Sequence, residues 1–119
     1  MIEVTNNLKL NLLMQTCNLA RKLHIFTNEH RPSEHTRIED LHEPKGKDYA
    51  PVELCIANWT IEASGATYVP KRLYPGKRKV YGYFVTDFSE NVLWAEAFPN
   101  PFCCEPDSSI EVKLKIRFY

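Results

Sequence analysis

No run of apolar residues in this chain approaches the roughly 18 that a membrane-spanning helix needs, so no such helix is expected. No basic stretch leads into an apolar one near the start, and no secretory leader is expected either. Charge of one sign is not in excess: 15 Lys and Arg balance 15 Asp and Glu. Without a net field there is no general pull toward nucleic acid or an anionic membrane, and dedicated nucleic-acid binding is not expected. The four cysteines, Cys17, Cys55, Cys103 and Cys104, have neither CxxC spacing nor the regularity of a disulfide framework. They read as reduced, partly buried thiols, with Cys55 in an apolar strand where a thiol is inert core. The neighbours Cys103 and Cys104 could bridge only as a strained vicinal disulfide. The sequon Asn58-Trp59-Thr60 matches a glycosylation pattern that also arises by chance.

Signatures of chemistry are equally sparse. There is no G-x-S-x-G, no P-loop and no dinucleotide fingerprint. Of the histidines His24, His30, His35 and His42, no pair has the i, i+4 spacing of a helical metal site or a cysteine at zinc-site spacing. His24 stands alone on a predicted strand, and the other three read as solvated loop residues. Carboxylate pairs such as Glu39-Asp40 lie beside bases and read as solvated too. No catalytic constellation, cofactor set or metal set is expected.

What remains is a chain of 119 residues with 44% hydrophobic and 25% charged residues, the values of an ordinary globular domain. One domain is expected, long enough to bury roughly two-thirds of its unfolded surface without staples. Its strongest pattern runs from Lys79 to Phe98. Two aromatic, β-branched runs flank the polar linker Asp87-Phe88-Ser89-Glu90-Asn91, which predicts a β-hairpin. Val80, Gly82 and Phe84 are expected on one face, with Tyr81, Tyr83 and Val85 on the other. Both faces are apolar, so the hairpin should lie inside a sheet, covered on both sides.

The rest of the chain supplies the cover. Thr5-Asn6-Asn7 offers N-cap side chains, and Leu8, Leu12, Leu13, Cys17 and Leu19 follow at near-helical spacing. One amphipathic helix over about 7–18 is expected to lay that stripe on a sheet face. Lys22 to Thr27 alternates as a strand. Residues 28–47 form a long polar loop, broken by Pro32, Pro44 and Gly46 and anchored only by Ile38 and Leu41. Loops of this length are usually functional or pinned by a partner. Further strands are expected over 49–56 and 58–63, an extended segment over 66–74 and a type II turn at Pro75-Gly76. The three prolines in PNPFCCEPDSS predict an irregular loop across the sheet's end. Ile110, Val112, Leu114, Ile116 and Phe118 then alternate with charged or polar residues as a final strand. The fold class is mainly β, a two-sheet β-sandwich-like domain of about seven strands with one N-terminal α-helix.

Lys71, Arg72, Lys77, Arg78 and Lys79 crowd around Tyr74-Pro75-Gly76. Such a cluster reads first as a solvated turn, then as a dock for an acidic protein surface, then as a site for phosphates, RNA or glycans with Tyr74 and Tyr81.

Several stretches occur in an order that resembles a group of small tailed-bacteriophage virion proteins. They are Leu23-His24-Ile25-Phe26-Thr27-Asn28, then Asp48-Tyr49-Ala50-Pro51, then Val80-Tyr81-Gly82-Tyr83-Phe84-Val85-Thr86-Asp87, then Leu93-Trp94-Ala95-Glu96-Ala97-Phe98. The order spans most of the chain. Lys47-Asp48, where a glycine is expected, and the PNPFCCEPD loop depart from it. The resemblance implies a virion structural protein without enzyme activity, made in the host bacterial cytoplasm. It would be a capsid decoration or cement protein bound to the major capsid protein, or else a tail, baseplate or fibre-attachment component. A homo-oligomer matching local shell symmetry would be natural. The expected contacts are Arg31, Arg37, Glu39 and Asp40 in the long loop and Lys77 and Arg78 at the basic turn.

Overall fold

A computed structural model of the chain describes residues 2–46 and 48–117. Thr5 caps helix α1 (Asn6–Leu19): its hydroxyl accepts from the Leu8 amide at 3.3 Å, satisfying a donor that the first turn leaves free. Seven strands follow: β1 (Lys22–Phe26), β2 (Val52–Glu53), β3 (Thr60–Glu62), β4 (Gly65–Tyr68), β5 (Arg78–Thr86), β6 (Val92–Cys104) and β7 (Leu114–Arg117). They form two antiparallel sheets, sheet A in the order β2-β1-β5-β6 and sheet B in the order β3-β4-β7. The mainly β, sandwich-like architecture with one N-terminal helix is therefore present.

The main core lies between the sheets. Leu23, Ile25, Val80 and Val85 from sheet A meet Trp59, Ala66, Tyr68 and Leu114 from sheet B and its flanks, and α1 adds Leu13 and Cys17. A second, smaller cluster of Phe26, Phe84 and Leu41 lies on the other face of sheet A, with Ile38 packed against it. The long loop thus covers the outer face of sheet A, and its two expected aliphatic anchors are the residues that hold it there.

The hairpin expected over Lys79–Phe98 forms, and Asp87 closes it. Its carboxylate accepts from the Ser89 and Asn91 amides, both at 2.9 Å, while Glu90 takes a positive φ of 64°. The interior position holds for β5 only; β6 is the edge of its sheet. Tyr81 alone stands opposite Phe98-Pro99-Asn100-Pro101, because Val80 pairs with Phe102 and Gly82 with Ala97. This bulge reverses the side-chain alternation. Val80 consequently joins Tyr83 and Val85 on the inner face, not Gly82 and Phe84 as expected, and Tyr81 packs on the outer one.

The bulge also overturns the irregular loop expected at PNPFCC. The strand continues through it to Cys104, which pairs with Arg78. Proline lacks a donor, but an edge strand at a bulge needs none there. Elsewhere the strand expected over 49–56 shrinks to β2 and gives way to a 3-10 turn, Ile56–Asn58. Cys55 precedes that turn and is exposed, so it is not a core thiol. All four thiols are free. The Ile110–Phe118 alternation persists as burial of Ile110, Val112 and Leu114, with ladder pairing confined to β7 and a bridge between Leu73 and Ile110. Phe118 and the loop's last residue, Lys47, lie outside the described residues.

Gly82 is required by close approach. A methyl group there would lie 2.5 Å from Phe26 Cζ, since the Phe26 ring fills the space above it. Helix α1 departs from expectation in one respect: Leu13 and Cys17 are buried, while Leu8, Leu12 and Leu19 are exposed.

Candidate functional site

The outer face of sheet A carries a polar network that the sequence reading did not identify. His24 on β1 and Thr86 at the end of β5 share this face, since Lys22 pairs with Thr86 and His24 with Phe84. The imidazole lies parallel to the Phe84 ring, 6° between planes and 4.5 Å between centroids. Its Nε2 is 2.8 Å from the Thr86 hydroxyl and its Nδ1 is 2.6 Å from Glu43 Oε1. The Tyr49 hydroxyl donates to the same carboxylate oxygen at 2.7 Å and accepts from the Ile25 amide at 3.3 Å. A carboxylate only accepts, so Nδ1 carries a proton and donates to Glu43, and in the Nδ1–H tautomer Nε2 accepts from the Thr86 hydroxyl.

Burial works against ionisation of Glu43, but the bonds from His24 and Tyr49 outweigh it and hold the carboxyl below its ordinary range. Tyr49 is pushed the other way, first by burial and then by its bond to Glu43, and stays a protonated donor. Hydroxyl, imidazole and carboxylate in a row have the connectivity of a hydrolytic triad. Here, however, Thr86 is 0% and His24 6% exposed, and a ring is stacked on the imidazole. A nucleophile must reach a carbonyl, and this hydroxyl reaches only its histidine. The arrangement works as a clasp. It ties Glu43, near the end of the long loop, to the sheet beneath.

The rest of the loop is closed by bonds to itself and to β1. Asn28 donates to the Asp40 carbonyl at 2.9 Å and accepts from the His42 amide at 2.8 Å, while the Thr27 amide donates to the His42 carbonyl at 2.7 Å. These bonds leave the loop's charged side chains outside. Arg31 is exposed, and Arg37 and Glu39 form an open pair at 3.9 Å. Asp40 has an internal task, accepting from the Arg37 amide at 2.9 Å at the 3-10 turn Ile38–Asp40. Lys77 is exposed beside Gly76, whose φ of 77° fits the expected turn. Arg78 is half-buried and donates to the Lys45 carbonyl, which joins the basic turn to the end of the loop. Arg31, Arg37 and Glu39 thus remain open to a partner, whereas Asp40 and Arg78 hold the surface in shape.

The basic cluster is partly engaged. Arg72 donates to Ser109 Oγ at 2.6 Å and to Glu111 at 3.1 Å, and Lys79 lies over the Tyr81 ring at 5.7 Å. Among the described residues no three His, Cys, Asp or Glu side chains gather as metal ligands, and no helix is long and apolar enough to cross a membrane. The network escaped sequence reading because its members are 19 and 62 residues apart. A histidine inside the apolar run Leu23–Phe26 was its one legible sign. Comparison with protein-family models, curated proteins and solved structures finds no match to this chain.

Proposed function

We propose that the protein is a structural component of a tailed-phage virion, a capsid cement that binds the major capsid protein through the loop over sheet A. One observation carries this reading. Of the four stretches that resemble virion proteins, Asp48–Pro51 precedes β2 outside the ladder, and the other three are neighbours in space: Leu23–Phe26 lies on β1, Val80–Thr86 on β5, and Leu93–Phe98 in the first half of β6. They are adjacent strands of one sheet, so the resemblance concerns a scaffold and the surface it presents. On that scaffold the loop offers Arg31, Arg37 and Glu39 to a neighbour, with Lys77 at the adjoining basic turn. A mixed-charge surface of this kind favours a partner of complementary pattern and tolerates low affinity per copy, because many copies act together on a shell.

The test is the copy number of the chain in purified particles, by quantitative mass spectrometry against the shell protein. A simple fraction of the shell count is expected. A few copies per hundred shell subunits would move the protein to the tail, and absence from particles would end both virion readings. The pair R31E and R37E should lower retention on the shell while the fold persists.

A second reading has one feature in its favour. A groove of about 860 Å³ runs between β2 and the segment after β4, with exposed Tyr74 beside Lys71 and Arg72. Aromatic and polar groups in an open groove suit a glycan. Flat titrations with glycans would remove this reading.

A further inference from the structure

Sheet A ends on one side at β2, and the groove of about 860 Å³ runs along that side. Residues 50–55 line it in an unbroken row, whereas no residue of β1 does, so it lies beyond the free edge of β2. Register fixes what that edge presents. Leu23 pairs with Val52, and the Leu54 amide donates to the Arg21 carbonyl at 2.8 Å. Val52 and Leu54 thus turn their backbone groups toward β1, and the residues alternating with them turn theirs away. The groove therefore meets the Pro51 carbonyl, the Glu53 amide and carbonyl, and the Cys55 amide. Cys55 is still extended, with φ −124° and ψ 132°. Among the described residues none of these four groups has a hydrogen-bond partner.

Side chains follow the same alternation. Val52 and Leu54 pack inward against the main core, which puts Glu53 on the outer face. Glu53 is exposed and, among the described residues, has no ion pair, even with Lys22 opposite it on β1. Charge divides the groove. Asp48 and Glu53 lie on the β2 side, and Lys71 and Arg72 on the other, where Arg72 is engaged by Ser109 and Glu111. Short edge strands are ordinarily left to open water. This one faces a second wall, residues 68–72, so an added strand would be held from two sides.

We infer that this groove takes an extended segment of another protein as an added strand of sheet A, with a basic residue at its centre and an apolar residue on either side. The strand runs antiparallel to β2, as does every strand pair in the chain. Its central residue exchanges two backbone bonds with Glu53 and shares the outer face with that carboxylate, the cross-strand position where opposite charges attract. The residues next to it fall opposite Val52 and Leu54 and point inward, extending their apolar surface. The residues at its two ends donate to the Pro51 carbonyl and accept from the Cys55 amide. A sugar can stack on Tyr74, but only a polypeptide strand supplies donors and acceptors at the spacing of these four groups. Nothing in this pattern requires a virion, so it stands or falls independently of the capsid reading.

The experiment titrates the full chain with the end-capped peptide Thr-Val-Lys-Val-Thr, followed by backbone amide NMR. So short a strand should bind with a dissociation constant of about 0.1 mM. Shifts should concentrate in residues 50–55 and 68–72, and exchange of the Glu53 and Cys55 amides should slow. Methylating the central lysine amide removes the bond to the Glu53 carbonyl and should abolish binding. Methylating the amide of the second valine, which points away from β2, should change affinity by no more than about twofold. Glu53→Lys should weaken the lysine peptide about fivefold and favour the same peptide with a central glutamate, a reversal that misfolding does not produce. No binding up to about one millimolar overturns the inference, whether or not a glycan shifts the same amides. So do equal losses from the two methylations, or a Glu53→Lys chain that still prefers lysine. Self-association of the chain that Glu53→Lys removes would assign the edge to a second copy and overturn it too.

Discussion

On its inner face sheet A meets sheet B and α1 through Leu23, Ile25, Val80 and Val85, each fully buried. On its outer face the cover is a loop, held by the small cluster of Phe26, Phe84 and Leu41 and by the clasp of His24, Glu43, Tyr49 and Thr86. Apolar burial is undirected and cooperative, so the inner face should open only when the whole fold opens. A handful of directed bonds can break together while the sheet survives, so the outer cover is the place for local opening. The same strands therefore carry a rigid side and a releasable one, and the proposed docking residues sit on the releasable side.

The largest effect should come from the inner face. Ile25→Ala removes a fully buried side chain and should cost about 2–5 kcal/mol, read from denaturant midpoints. Amide exchange should quicken across both sheets. Quickening confined to the loop would break the comparison.

His24→Ala should cost less, about 1–3 kcal/mol, because Glu43 and Thr86 lose a partner and relax toward water. Here exchange should rise in residues 28–45 while β5 stays protected. Uniform loss of protection would show that the two faces form one cooperative unit.

Acid should separate the faces without a mutation. Folding lowers the pKa of Glu43, so the folded state binds its proton more weakly than the unfolded chain does. Its contribution is complete above the ordinary carboxyl value of 4.5 and is lost as pH falls through the lower folded value. Thermal melts from pH 7 to pH 3 should show this loss in the wild type. E43Q should begin less stable and lack that portion of the acid dependence, and parallel curves would rule out the clasp as its source.

The gentlest probe is a thiol reagent on the native chain. Cys55 and Cys103 are exposed and should react at once. Cys104 is buried, and burial pushes the Cys17 thiol up to about 11, so both should wait for global unfolding. Early modification of Cys17 would mean that α1 leaves the inner core by itself.

Much of the fold was legible because it is written in short-range patterns. Helical spacing after Thr5, alternation over Lys22–Thr27 and Pro75-Gly76 before the aromatic run each refer to neighbours within a few residues. The candidate site was legible only in part. Charge and proline content marked the long loop, and Arg31, Arg37 and Glu39 do lie on its surface, whereas its attachment through His24 and Glu43 left no local trace.

By itself the sequence determined the mainly β class, the N-terminal helix, the central hairpin and its Asp87 turn. Local sterics and side-chain period decide these wherever the segment comes to lie. Only the tertiary structure decided that β6 is an edge, that Pro99 and Pro101 fit within it, that Val80 turns inward at the bulge, and that a histidine on β1 meets a glutamate from the loop. Each of these depends on which strand pairs with which and in what register. Pairing is settled by closing long loops around a shared core, and that free energy belongs to the whole chain.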